Sequence, residues 1–462
     1  MSTNNLPKEL IDFLSQGNNI LLIKGNPGTG KTILSLELLK HFQEDRNAIY
    51  VSTRVTSERL FAQFPWLEGV IKPEHVLEAP KKGITISDEK MKKYPTQFEH
   101  VYDLAMRTEN PMIVVDSWEA VTEDLDPGGQ MDVIRLLESL ISSKNANIIL
   151  VSEAPDRTTL EYLVDGVVVL NMKTIDGRRT REIELMKLRG VEIDRPKYFF
   201  TLLDGKFRSF GETKPQITEV KRTEPLPDTE THFSTGIEDL DKILGGGYPK
   251  GGVVQLELDG NILEMDYAPF IAATILNFVE EGRGFLMIPP VGLGMSDVLK
   301  YSMIFRASES EMQLFRVFDR KMPGKDQDRP YIVMLDPQQS LMENLMTIAK
   351  VGNELKEKTG KPLLGIVGND TLVSYWGEES YREAASVAAT LSRAMGNLLI
   401  GICPPGLENV TQIASNLSDV HIKLIKKDGT LILYGIKPYT GLYGVTFDFS
   451  RGYPYPNLTP IV

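Results

Sequence analysis

The chain has 462 residues, 51 of them Lys or Arg against 63 Asp or Glu, giving a net charge of −12 at pH 7 with 42% apolar residues. That length predicts two or three domains with sizeable cores, and a pI near 5.2 argues against non-specific nucleic-acid binding. One cysteine, Cys403, and five histidines exclude a disulfide framework and argue against a structural zinc site.

No apolar run is long enough to cross a membrane, and the polar start Met1 to Lys8 lacks a signal-peptide core. The expectation is a cytoplasmic protein with no membrane partner. In chain order, Ile20 to Ile23 is an apolar strand run, followed by GNPGTGKT from Gly25 to Thr32, then by helix-spaced apolar residues from Ile33 to Phe42. The pattern G-x-x-x-x-G-K-[ST] between strand and helix is a phosphate-binding loop. Glycines let the backbone N–H groups of Gly25, Asn26, Pro27 (which lacks one), Gly28, Thr29 and Gly30 wrap an anion, and the helix N-terminus faces it. Lys31 is expected to reach the β- and γ-phosphates of ATP, and Thr32 to ligate Mg²⁺.

Further short apolar runs follow at NAIYVSTR, PMIVVDS, NIILVSE and YLVDGVVVL, with a helical pattern at Met131 to Ser143. Continuous runs of this length are strands buried on both faces, and their alternation with helices predicts an α/β fold with mostly parallel sheets. Asp116 ends one run and is the expected second Mg²⁺-side carboxylate. Ser117 beside it is a candidate for orienting water. Antiparallel strands at Val167 to Met172 and Arg181 to Leu188, joined at Asp176-Gly177, close this half.

Gly211 to Thr231 holds three prolines and many charges, a linker composition. It divides the chain into 1–210, a linker 211–231, and 232–462. The second half repeats the first, with GFLMIPP, LLGIVGND, LLIGICPP and LSDVHIKL in the same order. Asp370 lies 254 positions after Asp116, and Asp419 lies 254 after Asp165. The repeat predicts a duplicated domain.

Phe233 to Gly252 (FSTGIEDLDKILGGGYPKGG) and Arg181 to Gly190 (REIELMKLRG) resemble the opening and closing segments of KaiC-type domains in the RecA superfamily. The resemblance implies two tandem RecA/KaiC-like domains. The early P-loop, the run YVSTRVTSERLFAQFPWL (Tyr50 to Leu67) and the altered second half resemble more narrowly the archaeal gas-vesicle regulator GvpD family, which implies action on a regulatory protein partner.

Two departures shape the expected chemistry. KaiC-type ATPases carry paired glutamates after the second strand, where this chain has Arg54 and Val55. Neither accepts a proton from water, so Glu58 or Glu119 would have to substitute, and slow hydrolysis is expected. After Val253 to Leu258 no Gly-Lys-Thr follows, and Glu264 and Asp266 would repel a triphosphate. The second domain is therefore expected to be degenerate. The resemblance also implies that Lys187 and Arg189 reach the nucleotide of a neighbouring subunit in a homo-oligomeric ring, while Gly435 to Pro438 lacks that pair. Arg178, Arg179 and Arg181 cluster at a hairpin tip, either solvated or available to an acidic partner. Trp66 and Trp118 are expected to pack. A recombinase-type DNA-processing ATPase is the alternative function, but the loop Glu123 to Gly129 after the Asp116 strand is acidic, unfavourable for phosphate contact.

Overall fold

The computed structural model describes residues 5–78, 96–154, 159–211, 221, 224–293, 308–320 and 330–462. Most of the segment 211–231 lies outside them. The chain divides into two compact units, Met1–Gly211 together with Pro460–Val462, and Glu212–Thr459.

Among the described residues, the first unit contains strands β1 (Ile20–Lys24), β2 (Asn47–Ser52), β3 (Val76–Glu78), β4 (Pro111–Asp116), β5 (Asn147–Ser152), β6 (Gly166–Ile175), β7 (Arg178–Leu188), β8 (Lys197–Thr201) and β9 (Arg208–Ser209). They form one sheet in the order β3-β2-β4-β5-β1-β6-β7-β8-β9. β1 to β6 pair parallel, and β6 to β7 to β8 antiparallel. Every residue of β1 and β5 is buried, as continuous apolar runs covered on both faces require. The β6–β7 turn places Asp176 and Gly177 at φ 47° and 74°, the left-handed pair that a two-residue hairpin demands.

After a two-stranded pair, β10 (His232–Phe233) with β11 (Tyr248–Pro249), the second unit contains β12 (Val253–Leu258), β13 (Phe285–Ile288), β14 (Phe315–Arg320), β15 (Ile332–Leu335), β16 (Leu364–Gly368), β17 (Leu398–Cys403), β18 (Val420–Lys427), β19 (Thr430–Lys437), β20 (Tyr443–Asp448) and β21 (Tyr455–Pro460). The order is β15-β14-β13-β16-β17-β12-β18-β19-β20-β21. It matches the first sheet strand for strand through the centre, with β12 in the place of β1 and β16, β17 and β18 in those of β4, β5 and β6. The described end of the linker packs on this unit: Leu226 exchanges hydrogen bonds with the Asn277 amide, and Asp228 pairs with Arg283.

The structure keeps one of the two equal spacings. Asp165 Oδ2 accepts from Ile20 N at 3.1 Å, and Asp419 Oδ2 from Val253 N at 2.8 Å. Both carboxylates bind the first residue of the central strand, so Ile20 and Val253 are equivalent. The other spacing is a misalignment by two residues. Asp116 closes β4 opposite Val151. The equivalent residue opposite Ile402 is Gly368, and Asp370 belongs to the following helix, Asn369–Met395.

Candidate functional site

The loop after β1 is built around glycine. Gly25 has φ 148°, and a Cβ there would come within 2.3 Å of Leu170 O. Gly30 has φ 102° and leads directly into the helix Lys31–His41. The loop, the helix N-terminus and the C-terminal ends of β2, β4 and β5 share one edge of the sheet.

Lys31 is buried and folds over its own loop, donating to Gly25 O at 2.6 Å and Asn26 O at 3.0 Å. Burial pushes its pKa below the ordinary lysine value, against the opposing charges of Glu153, Asp116 and Glu119. Thr32 Oγ1 donates to Asp116 Oδ2 at 2.5 Å. The two residues expected to hold Mg²⁺ are thus side by side, brought together across 84 positions of sequence.

Asp116 has a further partner that sequence reasoning missed. The Tyr50 hydroxyl, on the neighbouring strand β2, donates to Asp116 Oδ2 at 2.8 Å. Burial, and then the Asp116 charge, hold the Tyr50 pKa well above the ordinary phenol value, so the hydroxyl stays a donor. Thr53 ties the backbone down, its Oγ1 donating to Asp116 O at 2.9 Å and accepting from Ser117 N at 3.0 Å. Ser117 is 1% exposed and its Oγ has no partner among the described residues. A buried orphan hydroxyl beside this carboxylate fits an approaching polar ligand. The glycine cradle and the Thr32–Asp116 oxygen pair fit a nucleotide with a hard divalent cation.

The candidate carboxylates separate. Glu58 is exposed in the first turn of Ser57–Gln63. Glu119 is engaged, accepting from Ser152 Oγ and from Glu153 N. The sequence reading passed over Glu153, the residue just beyond β5, although it ends an apolar run as Asp116 does. Arg54 Nη2 donates to Glu153 Oε2 at 2.5 Å.

Lys187 and Arg189 lie toward the other edge of the sheet. Lys187 pairs in register with Val167, and Arg189 N bonds Asp165 O, beside the start of β1. Lys187 Nζ donates to Val164 O at 2.5 Å, just past the short helix Leu160–Leu163, and Arg189 Nη1 pairs with Asp165 at 2.7 Å. Both are occupied within their own chain. The second half lacks the pair, with Tyr439 at the place of Arg189, but it keeps the lysine. Lys437 pairs with His421 at the equivalent register, beside the same bulge, and its Nζ donates to Ser415 O at 2.5 Å in the helix Glu408–Leu417. The two lysines fasten helix-end carbonyls in their respective units.

The arginine cluster is not an exposed patch. Arg178 and Arg181 are buried while Arg179 is exposed. Arg181 Nη1 donates to Gly28 O in the phosphate loop at 3.0 Å and its Nε to Val462 O at 2.5 Å. Trp118 is buried against Phe98, and Trp66 packs edge-on to Phe64.

In the second unit the corresponding features are gone. The helix Glu264–Glu280 opens with Glu264 where the first unit has Lys31. Asp266 Oδ2 accepts from Leu263 N at 2.9 Å and pairs with Lys426. A carboxylate of the chain itself therefore occupies the helix N-terminus, and Gly368 stands in the place of Asp116.

A family model described as GvpD gas vesicle protein, P-loop domain, matches residues 12–186, and GvpD basic region 2 matches residues 222–321. In this chain the latter segment holds nine Lys or Arg against sixteen Asp or Glu, so the name does not describe its charge here. Protein GvpD1 of Halobacterium salinarum is 28% identical over 99% of this chain and 96% of its own length, and GvpD2 of the same organism is 28% identical over the same shares. The circadian clock oscillator protein KaiC of Parathermosynechococcus lividus is 25% identical over half of this chain and 45% of its own length. With the P-loop unit matched by one GvpD model, residues 222–321 matched by another, and the likeness to GvpD1 running end to end, the chain resembles the GvpD gas-vesicle proteins along its length, with weaker KaiC-like similarity.

Proposed function

We propose that the chain is a nucleotide-dependent regulator that binds Mg-ATP in its first unit alone, hydrolyses it slowly, and passes its nucleotide state to a protein partner in gas-vesicle regulation. The observation that carries this reading is the 2.5 Å contact between Thr32 Oγ1 and Asp116 Oδ2 behind an intact phosphate loop, set against Glu264, Asp266 and Gly368 at the matched positions of the second unit. Bound Mg²⁺ would neutralise phosphate charge between Thr32 and Asp116. Tyr50 orients Asp116 for that task, and Lys31 exchanges the carbonyls of Gly25 and Asn26 for phosphate oxygens. Arg181, fixed to Gly28, links the loop to the closing strands and gives the unit a route by which loop occupancy is felt elsewhere. Hydrolysis is slow because Arg54 stands where a water-activating glutamate is expected, leaving Glu153 as the nearest replacement. Lys187 and Arg189 take no part in this reading.

The acidic loop Glu123 to Gly129 and the acidic balance of the chain favour a protein partner over DNA. The test is capture of partners by the full chain from its host with Mg-ATP, without nucleotide, and with Lys31→Ala. A protein retained only by the wild-type chain with Mg-ATP supports the proposal. A partner set that ignores both nucleotide and Lys31, or salt-sensitive capture of DNA alone, contradicts it.

A further inference from the structure

The second unit holds a cavity of about 180 Å³ between its sheet and the helices Leu341–Thr359 and Asn369–Met395. Its floor is made by Gln255 on β12, Gly401 on β17 and Gly365 on β16, and its walls include Ile348, Ala385 and Ala388. The strand registers give each floor residue a counterpart in the first unit. Val253 is equivalent to Ile20, so Gln255 matches Leu22. Gln255 pairs with Gly401 as Leu22 pairs with Leu150, and Gly365 pairs with Leu399 as Ile113 pairs with Ile148. Leu22, Leu150 and Ile113 are all fully buried in the core of the first unit. In the second unit, two aliphatic side chains have become hydrogen and a third has become an amide. Neighbouring side chains close over the two glycines, since a Cβ at Gly401 would meet Asn369 Nδ2 at 3.0 Å and one at Gly365 would meet Leu399 Cδ1 at 3.0 Å, and the volume that remains lies under the helices.

The amide gives the cavity a polar requirement. Gln255 is 1% exposed, its Nε2 donates to Thr411 O at 3.1 Å, and its Oε1 has no partner among the described residues. The Thr411 carbonyl fixes the amide orientation, because the flipped form would set two acceptors against each other. A buried acceptor with no donor is costly. An apolar cavity of roughly 150 Å³ holds a benzene-sized molecule and stays dry, because water needs two to four polar partners.

We infer that this cavity is a binding site for a small apolar molecule, an aromatic ring or branched aliphatic of about six to nine heavy atoms, bearing a single O–H or N–H group that donates to Gln255 Oε1. The site lies over the face of the sheet, reaching Asn369 just past β16, and does not depend on the nucleotide reading. Filling it would fasten the helices Leu341–Thr359 and Asn369–Met395 to the sheet.

Phenol, indole and toluene are the probes, titrated into the full chain by calorimetry with thermal unfolding as a second readout. Phenol and indole should bind and raise the melting temperature. Gln255→Leu restores the side chain of the first unit, so it should fold, and it should lower the affinity ratio of phenol to toluene by about three- to tenfold, the worth of one hydrogen bond. Ala388→Phe should remove binding of all three probes while Mg-nucleotide binding persists. Absence of binding by every probe to the folded wild-type chain overturns the inference, as does a phenol-to-toluene ratio that Gln255→Leu leaves unchanged.

Discussion

Arg54 and Glu153 join the two strands that flank the strand of Asp116. Arg54 follows β2, Glu153 follows β5, β4 lies between them, and the side chains meet at 2.5 Å. The position that is acidic in KaiC-type ATPases is basic here, and a carboxylate faces it from across the site. The arginine is mostly exposed in this pair, so the bond is worth less than about 1 kcal/mol and is readily exchanged for a phosphate.

Glu153→Gln is therefore predicted to lower ATP turnover by about 10²- to 10⁴-fold, the worth of a positioned base, from a wild-type rate already well below the roughly 10 s⁻¹ common for enzymes. Nucleotide affinity should change little. Glu58→Gln, at an exposed helical position, should leave turnover intact. Single-turnover phosphate release measures both, and loss of turnover in Glu58→Gln alone would place the carboxylate elsewhere.

Tyr50→Phe removes one of the two side-chain hydrogen bonds to Asp116 Oδ2. Stability should fall by about 1 kcal/mol. The Mg²⁺ concentration that half-saturates nucleotide binding should rise by about tenfold, the usual effect of losing a group that orients a metal ligand. Nucleotide titrations at varied Mg²⁺, alongside denaturant unfolding, separate the two effects.

The lowered pKa of Lys31 sets the pH dependence. Without nucleotide, burial disfavours the charged ammonium, so its cost to stability is present at neutral pH and relieved as pH rises through the lowered folded-state value. Phosphate favours the charged form, so binding takes up a proton where the free site has begun to lose one, and affinity is lost as pH rises through that value. Affinity should thus decline at a lower pH than an ordinary lysine would impose. Calorimetry at alkaline pH, in buffers of different ionisation enthalpy, should report proton uptake on binding. Lys31→Ala should lower affinity by about 10- to 100-fold, from the loss of hydrogen bonds to a charged group.

Lys187→Met should destabilise its unit by about 1–3 kcal/mol through the Val164 carbonyl left without its lysine donor, while Lys437→Met should cost only about 1 kcal/mol, because Ser415 O keeps the Ser418 Oγ donor, with nucleotide affinity unchanged in both. Arg189→Ala breaks an exposed pair and should cost less than about 1 kcal/mol. Unfolding curves with nucleotide titrations test this. A Lys187 variant of normal stability that had lost ATP-dependent behaviour would instead favour action on a neighbouring subunit.

Much of this was legible in the sequence, because the signals are local. Continuous apolar runs marked the parallel strands, GNPGTGKT marked the loop, and a carboxylate at a strand end marked Asp116. Contacts across strands were not legible. Nothing in NAIYVS says that Tyr50 leans toward Asp116, since alternation assigns a face and not a partner. Glu153 was available by the strand-end logic used for Asp116, but its importance lies in the pairing with Arg54, 99 positions away. The arginines near 178–181 look like a solvated hairpin tip because neither the burial of Arg178 nor the reach of Arg181 to Gly28 has a sequence signature. Asp370 misled because equal spacing ignores a two-residue length difference between the repeats, which only strand register reveals. The cavity over Gly365 and Gly401 became visible through the same registers.

The central claim is that one unit binds nucleotide and the other has lost the means. Calorimetric titration of the full chain with Mg-ATP tests it most directly. One nucleotide per chain, with affinity lowered about 10- to 100-fold in Lys31→Ala, is the predicted result. Two per chain, or one whose affinity Lys31→Ala leaves unchanged, would contradict it.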